Sequence, residues 1–113
     1  MTSKQRMSLF AVIGIDRTDS LSKRDAALPD HRAYLKSHDE RMLLVGPLRD
    51  KVGNSCGSLY VFEANSAGEI QQWLSREPFF KAGVYDTLLI RRFDPVMTRL
   101  PLRDWLDDTG SRK

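Results

Sequence analysis

Apolar residues along this chain fall into four compact blocks, and two amphipathic stretches separate them in part. Met7 to Ile15 is apolar on both alternating sets, which predicts a central strand covered on two faces. Asp16 to Ser20 is a polar break. Leu21 to Asp39 then follows a helical period, with Leu21, Leu28 and Leu35 recurring every seven residues beside Ala27 and Tyr34. Pro29 lacks the donor that would reach Asp25. The reading is therefore a turn or short helix over Leu21–Ala27, then a main helix with Pro29 near its first position. Arg41 to Pro47 predicts a second strand, stopped by Gly46-Pro47. Leu48 to Cys56 reads as a loop, and Gly57 to Glu63 as a third strand with Leu59, Val61 and Phe62 as its apolar content.

Ser66-Ala67-Gly68-Glu69 matches a capping box, and the helix it opens should bury Ala67, Ile70, Trp73 and Leu74. Glu77-Pro78 breaks that helix, because the residue before a proline avoids the helical region. Phe79 to Gly83 reads as one helical turn, and Val84 to Phe93 as the fourth strand. The order β-α-β-β-α-β selects an α+β, ferredoxin-like sandwich: an antiparallel sheet with both helices on one face. The other face would be bare in a monomer, which predicts a homodimer with two sheets packed face to face. The domain spans residues 7–95, residues 1–6 form a flexible N-terminus, and residues 96–113 form a C-terminal extension. Pro101 could start a short helix there, with Leu102, Trp105 and Leu106 packing on the same subunit or its partner.

Composition narrows the function classes. The 113 residues suit a single domain. The longest apolar run, Leu9 to Ile13, is far short of the ~20 residues of a membrane span. No apolar stretch follows Arg6 in the manner of a signal peptide, so the expected location is the cytoplasm, where a lone Cys56 stays reduced. Net charge is +3, from 18 basic and 15 acidic residues, without the excess a nucleic-acid binder carries. No glycine-rich phosphate loop is present.

Two histidines are the first candidates for chemistry. His31 has Ala27, Leu28, Tyr34 and Leu35 as its neighbours one turn either way. It thus sits inside the inward stripe, where an apolar residue would be the cheaper choice. His38 lies at the polar end of the helix and reads as a solvated or capping residue. The two are ~10 Å apart by helical rise, too far to share one metal ion, and no metal site is predicted. A catalytic histidine needs an orienting carboxylate. Asp16, ending the first strand, and Glu77, in the Arg76-Glu77-Pro78-Phe79 elbow, are the candidates.

The chain resembles the YciI-like (YCII-related) family of small dimeric ferredoxin-like domains. The resemblance is carried by Asp16, Ser20-Leu21-Ser22-Lys23-Arg24, His31-Arg32-Ala33-Tyr34-Leu35, Leu43-Leu44-Val45-Gly46-Pro47, Gly57-Ser58 and the elbow Glu77-Pro78-Phe79-Phe80-Lys81-Ala82-Gly83-Val84-Tyr85. It implies a dimeric α+β barrel and a cleft holding a histidine–aspartate pair. His31 falls on the family's histidine. The aspartate's place, before the Pro-aromatic pair, is taken here by Glu77, which is one methylene longer. The family members discussed as enzymes are linked to elimination or isomerisation on small cyclic or halogenated aromatic substrates.

The expectation is a cofactor-independent lyase or isomerase acting on a small polar, cyclic or aromatic molecule. His31 is its general base, and Glu77 orients it or serves as acid. Asp16, Arg24 and Ser58 are expected to bind substrate, with Arg24 suited to a carboxylate or phenolate. The alternatives are a non-catalytic module that binds a small molecule in the same cleft, and an assembly subunit with no pocket at all.

Overall fold

The computed structural model describes residues 7–99. Strand β1 (Ser8–Asp16) leads into helix α1 (Leu21–Ser37). A single 3-10 turn (Asp39–Arg41) follows, then the hairpin strands β2 (Met42–Arg49) and β3 (Ser55–Ala64). Helix α2 (Ala67–Leu74), the short helix α3 (Pro78–Lys81) and strand β4 (Tyr85–Arg92) complete the unit. The sheet order is β2-β3-β1-β4, and each neighbouring pair is antiparallel. This is the ferredoxin-like α+β fold. The C-terminal extension carries no helix or strand up to Arg99. The expected helix over Pro101 to Leu106 and the expected flexible residues 1–6 lie outside the described residues.

Three local readings change. Helix α1 is continuous through Pro29 instead of beginning near it. Pro29 and Asp25 are both exposed, so water can satisfy the carbonyl that the proline leaves without a donor. Strand β2 does not stop at Gly46-Pro47 but runs on to Arg49. It is an edge strand, and an edge tolerates a proline because one side needs no ladder donor. Strand β3 begins at Ser55, inside the stretch read as a loop. Ser58, Tyr60, Phe62 and Ala64 are buried at alternate positions, and Tyr60 joins Phe62 and Ala64 in the core.

The core lies between one sheet face and the helices. Phe10 and Val12 from β1 meet Tyr60 and Phe62 from β3, and Ile70, Leu74 and Phe79 cover them from the helices. Ser66 caps α2 as the sequence predicts, its Oγ accepting from the Glu69 N–H at 3.2 Å. Glu69 reaches back one residue further than expected, to the Asn65 N–H at 3.3 Å. On the opposite sheet face no helix packs among the described residues, and Ile15 and Leu89 remain 44% and 39% exposed.

Two glycines let β1 lie close to β3 and to the Tyr85 ring of β4 beside the site. A Cβ on Gly57 would lie 2.4 Å from the Gly14 carbonyl oxygen, and one on Gly14 would lie 2.7 Å from the Tyr85 ring. Both positions therefore need glycine for room. That closeness keeps the Gly57 carbonyl and Ser58 beside helix α1.

Candidate active site

Helix α1 buries two polar residues toward the sheet, Arg24 and His31, seven positions apart. The leucine stripe that predicted the inward face is only its flank: Leu28 and Leu35 are half-buried, and Leu21 is 43% exposed. Burying an arginine and a histidine is costly unless each is paired. Both are.

His31 Nδ1 contacts Glu77 Oε1. The side chain of Glu77 is fully buried. Its position follows from the local sequence. Glu77 is the N-cap of α3, with Pro78 at the first helical position, and its Oε2 accepts from the Phe80 N–H at 3.1 Å. One oxygen thus caps the helix and the other faces the histidine. The extra methylene relative to aspartate does not keep the pair apart. Phe79, next in the same turn, stacks on the imidazole with centroids 3.8 Å apart and planes within 12°. A carboxylate accepts and does not donate, so beside an ionised Glu77 a neutral imidazole carries its proton on Nδ1 and leaves Nε2 as an acceptor. Nε2 has no partner among the described residues, where every buried side-chain nitrogen and oxygen is satisfied. It therefore opens onto the cleft that His31 lines.

Arg24 is held on three sides. Its Nη1 donates to both Asp16 carboxylate oxygens at 2.9 Å, and its Nη2 donates to the Gly57 carbonyl at 3.0 Å and to Ser58 Oγ at 2.8 Å. The guanidinium also lies 4.5 Å from the centroid of the Phe79 ring. Burial pushes the Asp16 carboxyl up from its ordinary value, against the pull of Arg24. The network continues inward. Tyr85 Oη bonds Ser58 Oγ at 2.8 Å, and Tyr60 Oη bonds Tyr85 Oη at 2.6 Å.

Between α1 and strands β2 and β3 lies a cleft of about 520 Å³. Arg24, His31, Ser58 and Phe79 form part of its wall, with Val45 and Pro47 as apolar surface. Arg32 and Arg49 also line it, and neither has an ion-pair partner among the described residues. The cleft thus joins a histidine acceptor, apolar and aromatic walls and an excess of cationic side chains over the one lining carboxylate, Asp25. Of the sequence candidates, His31, Arg24 and Ser58 reach the cleft, while Glu77 and Asp16 stand behind His31 and Arg24 as their partners.

Tyr60, Tyr85, Phe79, Arg32 and Arg49 were not among the sequence candidates. A period-two reading through Ser58, Tyr60, Phe62 and Ala64 would have put Tyr60 beside Ser58. His38 caps α1, donating its backbone N–H to the Leu35 carbonyl, and stays exposed as expected.

The tyrosine pair makes a pH prediction. Desolvation pushes the Tyr85 hydroxyl up to about 12 from the ordinary 10.0 and raises Tyr60 as well. Above pH ~10 the unfolded tyrosines lose protons that the native ones keep, so the unfolded state binds fewer protons there. The stability contribution is fully present below pH ~10 and is lost as the pH rises through the native value. Urea unfolding across this alkaline range should show a falling stability that Tyr85→Phe makes shallower. The same slope in both proteins would contradict the assignment.

With this geometry in place, the comparisons with known proteins fall into line. Residues 8–94 match the YCII-related domain. The chain belongs to the YCII-related family. Protein YciI of Escherichia coli O6:H1 is 33% identical over 96 residues, covering 78% of this chain and 98% of that protein. The Xenovulene A biosynthesis cluster protein asL2 of Sarocladium schorii is 36% identical over 74 residues, covering 56% of this chain and 64% of that protein. Among solved structures, the chain is similar to the 5-chloro-2-hydroxyhydroquinone dehydrochlorinase TftG of Burkholderia phenoliruptrix in complex with 2,5-dihydroxybenzoquinone. The TM-score is 0.73 at 27% identity, over 76% of this chain and 93% of TftG. Among the described residues of this YCII-related protein, no helix is long and apolar enough to cross a membrane.

Proposed function

We propose that this YCII-related protein is a cofactor-independent enzyme that eliminates from or isomerises a small hydroxylated ring compound by acid–base chemistry. The observation that carries the reading is the buried His31–Glu77 contact, with Nε2 of the imidazole turned to the cleft. Glu77 fixes the proton on Nδ1, so Nε2 can accept a proton from a ring O–H or C–H. In an elimination the electron pair released by that proton enters the ring as the leaving group departs with its own pair. In an isomerisation the proton returns at another ring position. Glu77 also supports the imidazolium formed in between. Phe79 restricts the ring's tilt, and the apolar walls suit a flat substrate. The TftG complex supports the substrate class, since that protein holds a dihydroxybenzoquinone.

The test is incubation with 5-chloro-2-hydroxyhydroquinone and related chlorinated and hydroxylated rings. Chloride release, or exchange of ring protons in deuterated water, is expected and should depend on His31. If no ring in such a panel reacts or exchanges, the enzyme reading fails.

The proposal includes a homodimer. Ile15 and Leu89 stand exposed on the helix-free sheet face, where Leu9, Ala11, Ile13 and Leu59 are only half-buried. A second sheet packed there would bury roughly 2,000 Å² or more in total. Sedimentation at micromolar concentration should show a dimer, and a compact, stable monomer would contradict this part of the proposal.

A further inference from the structure

We infer that Ser58 presents its hydroxyl proton to the cleft as an obligatory donor to a negatively charged substrate oxygen, with Tyr60 and Tyr85 holding it in that sense. The inference deepens the reading of the cleft as a ring-substrate site and rests on it.

A serine hydroxyl has one proton and two lone pairs. A guanidinium can only donate, so Arg24 Nη2, at 2.8 Å, occupies one lone pair of Ser58 Oγ. Tyr85 Oη donates to Ser58 Oγ, also at 2.8 Å, whereas the 2.6 Å bond between the Tyr85 and Tyr60 hydroxyls can run either way. Tyr85 has one proton, and with that proton on Ser58 it can only accept from Tyr60.

Tyr60 is consistent with this. It is completely buried, and Tyr85 is the one hydrogen-bond partner of its hydroxyl among the described residues, so donating to Tyr85 uses a proton that would otherwise be buried with nothing to accept it. The chain therefore runs from Tyr60 through Tyr85 to Ser58, and Ser58 Oγ accepts twice. Its own proton has no acceptor among the described residues. Ser58 is only 1% exposed, so bulk water does not serve that proton; Ser58 lines the cleft, and a ligand oxygen seated against it is what receives the proton.

Three consequences follow. Ser58 is a donor here and not a nucleophile, because both of its lone pairs are engaged. The donor is strengthened by the guanidinium and the hydroxyl that polarise it. It shares the cleft wall with His31, whose Nε2 accepts. A substrate whose proton leaves to His31 gains negative charge on a ring oxygen, and Ser58 supplies a fixed hydrogen bond to that oxygen. The preferred ligands are then enolates and phenolates, with Ser58 a catalytic residue and Tyr60 and Tyr85 positioning residues.

The test uses 4-nitrophenol, bound as its phenolate, against 4-nitroanisole, which has nearly the same shape but cannot carry the charge. Affinities are measured by titration at a pH where the phenol is ionised. The wild-type protein should prefer the phenolate by about 10- to 100-fold, the range for one hydrogen bond to a charged group. Ser58→Ala alone would leave the Tyr85 proton without an acceptor, and Tyr85→Phe alone would do the same to Tyr60, so the comparison is Tyr60→Phe/Tyr85→Phe against the same pair with Ser58→Ala added. The double variant should keep most of the preference. The triple variant should lose about tenfold or more relative to it. Ser58→Cys, with a weaker donor of similar size, is the independent variant and should fall below wild type. Equal preference in the double and triple variants, or a wild-type preference in Ser58→Cys, would overturn the inference. His31→Asn should lower turnover by ~10²–10⁴-fold while the phenolate preference persists. Preference without Ser58 dependence would therefore sink the donor role and leave the base role standing. Failure of both probes to bind the wild-type protein would remove the cleft reading and this inference with it.

Discussion

Replacing His31 with Asn is expected to lower turnover of a reactive ring substrate by ~10²–10⁴-fold, the range usual for losing a general base. The effect should fall on kcat and kcat/KM together, because the proton transfer belongs to the transition state. His31→Asn alone leaves Glu77 buried without its partner. His31→Asn/Glu77→Gln removes that charge as well and should be at least as inactive while folding more readily. Chloride release per folded molecule, with folding checked by circular dichroism, is the measurement. Wild-type rates in the double variant would show that the pair is structural.

Glu77→Ala should cost about 3–5 kcal/mol of stability. Its mechanism is specific. The substitution removes the acceptor for the Phe80 N–H that begins α3 and strands the buried imidazole. It also loosens Phe79, which packs on both His31 and Arg24. Glu77→Gln keeps one acceptor and avoids a buried charge, so it should lose less stability and still impair turnover. Urea unfolding of the three proteins gives the comparison. A Glu77→Ala protein within ~0.5 kcal/mol of wild type, the usual range for surface changes, would contradict the geometry.

The strand and helix order was legible because each element has a clean boundary: the polar stretch Asp16 to Ser20, the Ser66 cap and the Glu77-Pro78 break. Pro29 and Pro47 misled the reading, since a proline's cost depends on exposure and edge position, which spacing does not reveal. The candidate site was half legible. His31 stood out as a polar residue within an apolar stripe, and the Glu77 elbow pointed to its partner. The tyrosine chain was not legible, because the strand was read through its apolar content, Leu59, Val61 and Phe62, and spacing alone does not show which face the helices cover. Arg32 and Arg49 are ordinary surface arginines in sequence, and only the fold brings helix α1 and the β2 edge to one cleft.

The account turns on Glu77 fixing the tautomer of His31. Nitrogen NMR of isotopically labelled histidine reads this directly, with His31→Asn assigning the signal. For the neutral ring, the account predicts a proton on Nδ1 and none on Nε2, and Glu77→Gln should weaken that bias. A neutral His31 carrying its proton on Nε2 in the wild-type protein would contradict the account, because the nitrogen facing the cleft would then have no lone pair to accept with.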